Sequence, residues 1–363
     1  MAEKQLEKKK FNAKEFLMNG GIYLVLIILL IIIGIKDASF FSLINFQNIL
    51  TQSSVRVIIA LGVAGLILTQ GTDLSAGRQV GVAALVSAIF LQASGKALTL
   101  SKLPFGGIIK SMPPQVAIVM VIIIVCLIGA LFGFINGFII AKLQVTPFIT
   151  TLGTMIIFYG FNSLLFDAVG ASPVASFKPE YSKLVQGAVF QSGQMRLSYL
   201  IVYATIATLI MWVVWNKTTF GKNIYAVGGN PEAAKVSGVN VTRTLILVYV
   251  IAGVLYALGG FLEAARIGSA TNNVGNLYEL DAIAACVVGG VSFSGGIGKI
   301  KGVITGVLIF TLINYGLSYI GVSPYWQYII KGLIIISAVA IDTLKYRKRI
   351  KKKKKTISLL CIE

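Results

Sequence analysis

The chain has 363 residues, of which 56% are hydrophobic and only 12% charged. A water-soluble domain carries about 25% charged residues, so composition excludes an ordinary soluble fold and makes lipid the solvent for most of the chain. Histidine is absent, which removes His-based triads, His metal ligands and His proton relays, and the formal charge of +19 is concentrated in two tails rather than spread as a nucleic-acid footprint.

In chain order, residues 1–20 form a basic tail with Lys4, Lys8, Lys9, Lys10 and Lys14, expected on the cytoplasmic side. No A-x-A-type cleavage site follows, so 21–35 reads as a retained first span rather than a signal peptide. Further apolar runs lie at 54–69, 79–93, 115–141, 147–166, 198–215, 244–264, 280–291, 301–320 and 325–342. They do not alternate, which excludes a β-barrel. The 38 glycines suit closely packed membrane helices. The reading is an all-α polytopic membrane protein with about ten transmembrane helices, some short or broken, its membrane domain covering 21–343. A span needs about 20 residues, so 54–69 and 280–291 are expected to be broken or re-entrant.

Ten crossings place both ends in the cytoplasm. The tail 344–363 carries Lys345, Arg347, Lys348, Arg349 and Lys351 to Lys355, a charge that anionic lipid headgroups satisfy without nucleic acid. Its end, KKKKKTISLLCIE, is expected to be disordered. The same parity puts 216–243 inside, with Lys217, Lys222, Lys235 and Arg243, and the loops 94–114 and 167–197 outside. Those loops hold Lys96, Lys102, Lys110, Lys178, Lys183 and Arg196, against the positive-inside rule, but the two tails are far more basic. No internal repeat is visible.

Four stretches carry chemistry. TQGTDLSAGRQVG (69–81) places Asp73 and Arg78 where two apolar runs meet. A charge there needs a partner. Asp73 is expected to cap the helix that follows and Arg78 to pair with Asp73, Glu279 or Asp281, giving either a structural clasp or a gate on a hydrated pathway. The second is FGKNIYAVGGNPEAAKVSGVNV (220–241). Gly228 and Gly229 predict a flexible turn, Asn230 an N-cap, Pro231 the first helical position and Glu232 a first-turn acid. Ala233, Ala234, Lys235 and Val236 continue a short helix that Gly238 ends. A plain connector needs about 2–8 residues, so this longer loop reads as a docking surface for a cytosolic partner. The third, GSATNNVGNLYELDAIAA (268–285), gathers Asn272, Asn273, Asn276, Tyr278, Glu279 and Asp281. These suit sugar hydroxyls, docking of an external protein, or simple helix capping. Asn136, Asn162 and Asn314 are lone amides in apolar runs, where interhelical hydrogen bonds are the expectation. The best pathway-lining candidates are Asn162, Asn272, Asn276, Tyr278, Asn314 and Tyr315. The fourth, GGIGKIKG (295–302), departs from a phosphate-binding loop in glycine spacing and lacks Ser or Thr after Lys299, so it reads as a Gly-rich turn. Cys126, Cys286 and Cys361 are scattered and imply neither disulfide nor metal site. No catalytic residue and no cofactor site is expected in this chain.

The coupling stretch resembles that of sugar-importing ABC permeases of the ribose/galactose type. LTQSSVRVIIALGVAGLILTQGTDLSAGRQVG (50–81), VTPFITTLGTMI (145–156), RIGSATNNVGNLYELDAIAACVVGGVSFSGGIG (266–298) and NYGLSYIGVSPYWQYIIKG (314–332) resemble the galactose/methyl-galactoside branch of that family. The resemblance covers 20–346 and is weakest in the loops 94–114 and 172–197. It implies a type II ABC importer-like permease in the bacterial inner membrane, paired with a second copy of itself. It also implies a cytosolic ATPase that carries ATP and Mg, and an extracytoplasmic galactose-binding protein. Ribose or xylose as cargo stays open. An ion-coupled carrier is the rival class, with Asp73, Glu279 and Asp281 as its candidate couplers.

Overall fold

The computed structural model describes residues 26–93, 109, 112–193 and 195–360, with 345–360 as backbone alone. The basic segment 1–20, the start of the first span and Lys96, Lys102 and Lys110 lie outside the described residues.

The described residues are mostly helical. The helices are α1 (Leu26–Lys36), α2 (Leu43–Leu68), α3 (Ala76–Phe90), α4 (Pro114–Lys142), α5 (Pro147–Ala168), α6 (Pro179–Gln186) and α7 (Tyr199–Lys217). There follow α8 (Thr219–Gly229), α9 (Pro231–Val236), α10 (Val241–Ile267), α11 (Tyr278–Val288), α12 (Ile300–Tyr319) and α13 (Pro324–Leu360). Seven of these are long and apolar enough to cross a membrane; α1 and α3 are shorter, and α11 has only 11 residues. At 1.5 Å per residue, α11 reaches only about 16 Å, half of a hydrocarbon core. The expectation that 280–291 is too short for a plain span therefore holds.

The expectation for 54–69 does not. It is the second half of α2, a 26-residue helix with room to cross. Asn45, Gln47, Asn48, Gln52, Ser53 and Ser54 depress the apolar signal of its first half. Several of these groups are satisfied locally. Ser53 and Ser54 donate to the carbonyls of Ile49 and Leu50, Asn45 donates to the Ser39 carbonyl, and Tyr315 donates to Asn45 Oδ1 at 2.7 Å.

Helices α2, α3 and α10 form the centre. In α2, 78% of the most apolar window is buried, against 6% in α13. Helix α10 packs on α4 above all, then on α3 and α2. On α4, Gly129, Gly133 and Gly137 recur every fourth residue and face Gly253, Tyr249 and Ile246 of α10. A Cβ at Gly133 would overlap the Tyr249 carbonyl oxygen, so backbone meets backbone along this seam. The outer helices turn their large apolar side chains outward, among them Leu127, Ile156, Leu209 and Ile336. That is the arrangement lipid requires.

Two segments outside the apolar runs carry regular structure. Residues 167–197 include α6 and a hairpin, β2 (Ala188–Ser192) with β3 (Met195–Ser198), and β1 (Val174–Ala175) pairs antiparallel with β4 (Ser269–Ala270). The stretch 351–360, expected to be disordered, continues α13 as helix, because its lysines and leucines are good helix formers directly following a span.

Candidate functional site

Two regions carry the polar chemistry. The first lies where α2 and α10 break. Helix α2 stops at Leu68 with Gln70 in the left-handed region (φ 62°), and α3 starts at Ala76. Helix α10 stops at Gly268 (φ 83°), and α11 starts after Leu277 (φ 62°). The link 268–277 lies across the first turn of α3. A Cβ on Gly77 would overlap the Gly275 carbonyl oxygen, and one on Gly275 would overlap that of Gly77.

Asp73 is 1% exposed and accepts from Ser75 N at 2.8 Å and Ser75 Oγ at 2.6 Å. It closes the turn before α3 instead of capping the helix itself, whose N-cap residue Ser75 makes no side-chain cap bond. Asn136 of α4 donates to Ser75 Oγ at 3.0 Å, and Gln79 donates to the same oxygen at 2.9 Å. The expected pairing of Arg78 with a carboxylate is not found. Arg78 donates to Asn276 Oδ1 at 2.7 Å and lies 4.3 Å over the Tyr159 ring. Asp73 is turned back on its own loop and Asp281 is held by Lys331 Nζ at 3.0 Å, while Glu279 lies beside Gly77 and makes no ion pair with Arg78. Ser75→Ala should therefore cost more than the loss of one hydroxyl, since Asp73, Gln79 and Asn136 all lose a partner. We expect about 1–3 kcal/mol of lost stability, read as a lower melting temperature of the purified protein.

The pathway candidates separate into three groups. Arg78, Asn162, Asn272 and Asn276 come together, joined by Tyr159 and Ser163. Asn162 donates to the Asn272 carbonyl at 3.1 Å, and Asn272 lies 3.4 Å from Ser163 Oγ. Tyr278 belongs elsewhere: it donates to Glu263 Oε1 at 2.5 Å, and Glu263 also pairs with Arg266 at 2.7 Å. Arg56 lies 6.0 Å from the Tyr278 ring. Tyr315 bonds to Asn45 and Asn48 of α2, a helix-to-helix role, while Asn314 is buried with neither amide atom partnered among the described residues. Sequence reading passed over Tyr159, Arg56, Arg266 and Lys331. Only Arg266 left a local sign, three residues after Glu263 on one helix face.

The second region is the loop 216–243, which folds as two helices, α8 and α9. Asn230 accepts from Glu232 N at 3.0 Å and Ala233 N at 3.1 Å, Pro231 takes the first helical position, and Gly238 (φ 84°) ends the turn. The cap and stop signals thus act as read. Gly228 and Gly229 do not form a flexible turn: they end α8, and Gly228 is packed so closely that a Cβ would overlap the Leu68 carbonyl oxygen. Ala234 faces inward, while Glu232, Ala233, Lys235 and Val236 face out, Val236 being 89% exposed. Among the described residues no group of His, Cys, Asp and Glu has metal-holding geometry.

The sequence model of the family described as "branched-chain amino acid transport system / permease component" matches residues 45–339. The chain is 62% identical to the galactose/methyl galactoside import permease protein of Haemophilus influenzae over 346 residues, 95% of this chain and 99% of that one. It is 63% identical to its counterpart in Escherichia coli strain K12, with the same shares covered. The ribose import permease protein of Bacillus subtilis is 38% identical, over 94% of this chain and 98% of that one. No solved structure gives a significant match. Spans, broken helices and matched length agree, and the chain belongs to this family of transport-system permease components.

Proposed function

We propose that the chain is the membrane-spanning subunit of an ATP-driven importer for galactose and methyl galactosides. It forms the sugar's passage, and a separate cytosolic ATPase binds ATP and Mg and docks on α9. Two copies of the chain form one transporter in the bacterial inner membrane, both ends of each lie in the cytoplasm, and an extracytoplasmic binding protein delivers the sugar. The observation that carries the cargo is the 62–63% identity to galactose/methyl galactoside permeases, against 38% for a ribose permease. The geometry of α9 supports the docking role. It is a capped helix whose outer face presents Glu232, Lys235 and the apolar Val236 to solvent. An exposed apolar residue on a polar rim suits a protein partner.

An ion-coupled carrier has less support. Such a carrier needs an intramembrane acid free to exchange its proton. Here Asp281 is bound to Lys331 and Asp73 to Ser75, and Glu263 to Arg266 and Tyr278; Glu279, buried and without an ion pair among the described residues, is the one acid left to such a carrier.

Reconstitution tests the reading. Galactose uptake into proteoliposomes should require ATP and the ATPase, and an ion gradient alone should give none. In the same system, Glu232→Ala with Lys235→Ala and Val236→Asp should reduce recovery of the ATPase with the permease by about tenfold, the scale of one interface anchor lost. Full recovery and wild-type uptake would remove α9 from the interface.

A further inference from the structure

The stretch 289–299, which joins α11 to α12, is tied to three other elements. Gly296 N donates to the carbonyl of Leu68, the last residue of α2, at 2.8 Å. Tyr225 of α8 donates to the Gly298 carbonyl at 3.0 Å. Asp342 of α13 accepts from Ser292 Oγ at 3.0 Å and from Phe293 N at 3.1 Å. Gln70, just past the end of α2, closes the set by donating its side-chain amide to the Gly228 carbonyl at 2.8 Å.

These contacts are made at backbone range. Gly228 has no space for a Cβ against Leu68, and one on Gly295 would overlap both the Gly228 carbonyl oxygen and Gln70 Cγ. Gln70 holds a left-handed backbone (φ 62°), a conformation that costs a non-glycine residue free energy and needs support from its surroundings. Gly228, a residue of the junction on α8, lies two residues before Asn230, the N-cap of α9. On the other side of α9 the chain runs through Gly238 (φ 84°), where nothing lies within 4 Å of the absent Cβ. Helix α9 packs more on α8 than on α10, and the route backward leads through α8 into the junction. From there Asp342 leads to α13, which is little buried and is held at its other end by the Lys331–Asp281 pair to α11.

We infer that Gln70, Tyr225 and Asp342 are positioning residues that gear α9 to α2 and α13, so that displacement of α9 moves the Gly-rich stretch 289–299 and the outer helix with it. The inference rests on α9 being the ATPase contact. A contiguous set of packed backbone and hydrogen bonds is a physical means of carrying such displacement. It also gives GGIG (295–298) a role: glycines let three chain segments touch.

The experiment uses the permease co-expressed with its ATPase, reconstituted with the sugar-binding protein, and measures galactose taken up per ATP hydrolysed beside recovery of the ATPase. Gln70→Ala with Tyr225→Phe leaves the exposed face of α9 untouched. The expected result is wild-type recovery of the ATPase and an uptake-to-hydrolysis ratio lowered about tenfold, within the usual range of coupling between sites. Asp342→Ala should lower the same ratio. A wild-type ratio in both variants overturns the inference. So does a fall in uptake that only follows loss of the ATPase, since that marks support of the docking face and not transmission. If the double variant does not fold, Tyr225→Phe alone decides by the same ratio, with about a threefold fall expected for one hydrogen bond. The docking reading fails separately, when the α9 face variants leave assembly unchanged.

Discussion

Replacing Glu263 by alanine is expected to cost about 3–5 kcal/mol, the usual consequence of stranding one member of a buried ion pair. Glu263 is 2% exposed. Its two oxygens take Arg266 Nε and Nη2, both at 2.7 Å, and Oε1 also takes the Tyr278 hydroxyl. Removing the carboxylate leaves the Arg266 guanidinium, 24% exposed, and the Tyr278 hydroxyl without this acceptor. The contact also joins α10 to the first residue of α11, so its loss frees this short helix at its start. Thermal denaturation of the purified permease measures the effect. Glu263→Gln keeps an acceptor for Tyr278 and should fall between wild type and Glu263→Ala. Glu263→Ala with Arg266→Ala should recover part of the loss, because the stranded charge is gone. A Glu263→Ala protein as stable as wild type would show that the pair holds nothing together.

Gly133→Leu is expected to prevent α4 and α10 from docking, at a cost of about 3 kcal/mol or more. The seam has no slack: a Cβ at Gly129 would overlap the Gly253 carbonyl oxygen, one at Gly253 would overlap that of Gly129, and Gly133 stands against Tyr249 in the same way. In lipid, helix association depends on this close packing, because no water is released to drive it. A four-carbon side chain must push the two helices apart along their length. Gly160→Leu on α5 is the control, since nothing lies within 4 Å of its absent Cβ. Size-exclusion chromatography of the detergent-solubilised proteins should show a sharp permease peak for Gly160→Leu and aggregate for Gly133→Leu. Equal peaks would mean that the seam can open without penalty.

Residues whose partners are near in sequence were legible. The α9 cap and stop are such a case: Asn230, Pro231, Glu232 and Gly238 lie within nine residues, and hydrogen-bond geometry leaves them few alternatives. The short run at 280–291 was legible for a similar reason, since length alone limits how far a helix reaches. Arg78 was not. Three carboxylates were its expected partners, and the choice of Asn276 instead depends on how the link 268–277 crosses α3. Gly228 was misread because glycine serves both flexible turns and close packing; only the neighbouring Leu68 carbonyl distinguishes them.

The sequence by itself determined the solvent of this protein, its helical class, most of its spans and the short capped helix on its long loop. Those follow from apolar run length, from the need of every backbone group in lipid for an internal partner, and from capping chemistry that operates within a few residues. The tertiary structure decided the rest. It extended α2 through a polar stretch, because α12 and the segment around Ser39 supply the partners its amides need. It gave Glu263 to Arg266 and Tyr278, and Asp281 to Lys331 fifty positions away. It also packed 228, 68 and 296 at one point. A charge or a glycine states only what it requires, an opposite charge or an absent side chain. Which group meets that requirement is settled by helix packing, and packing joins residues that the sequence keeps far apart.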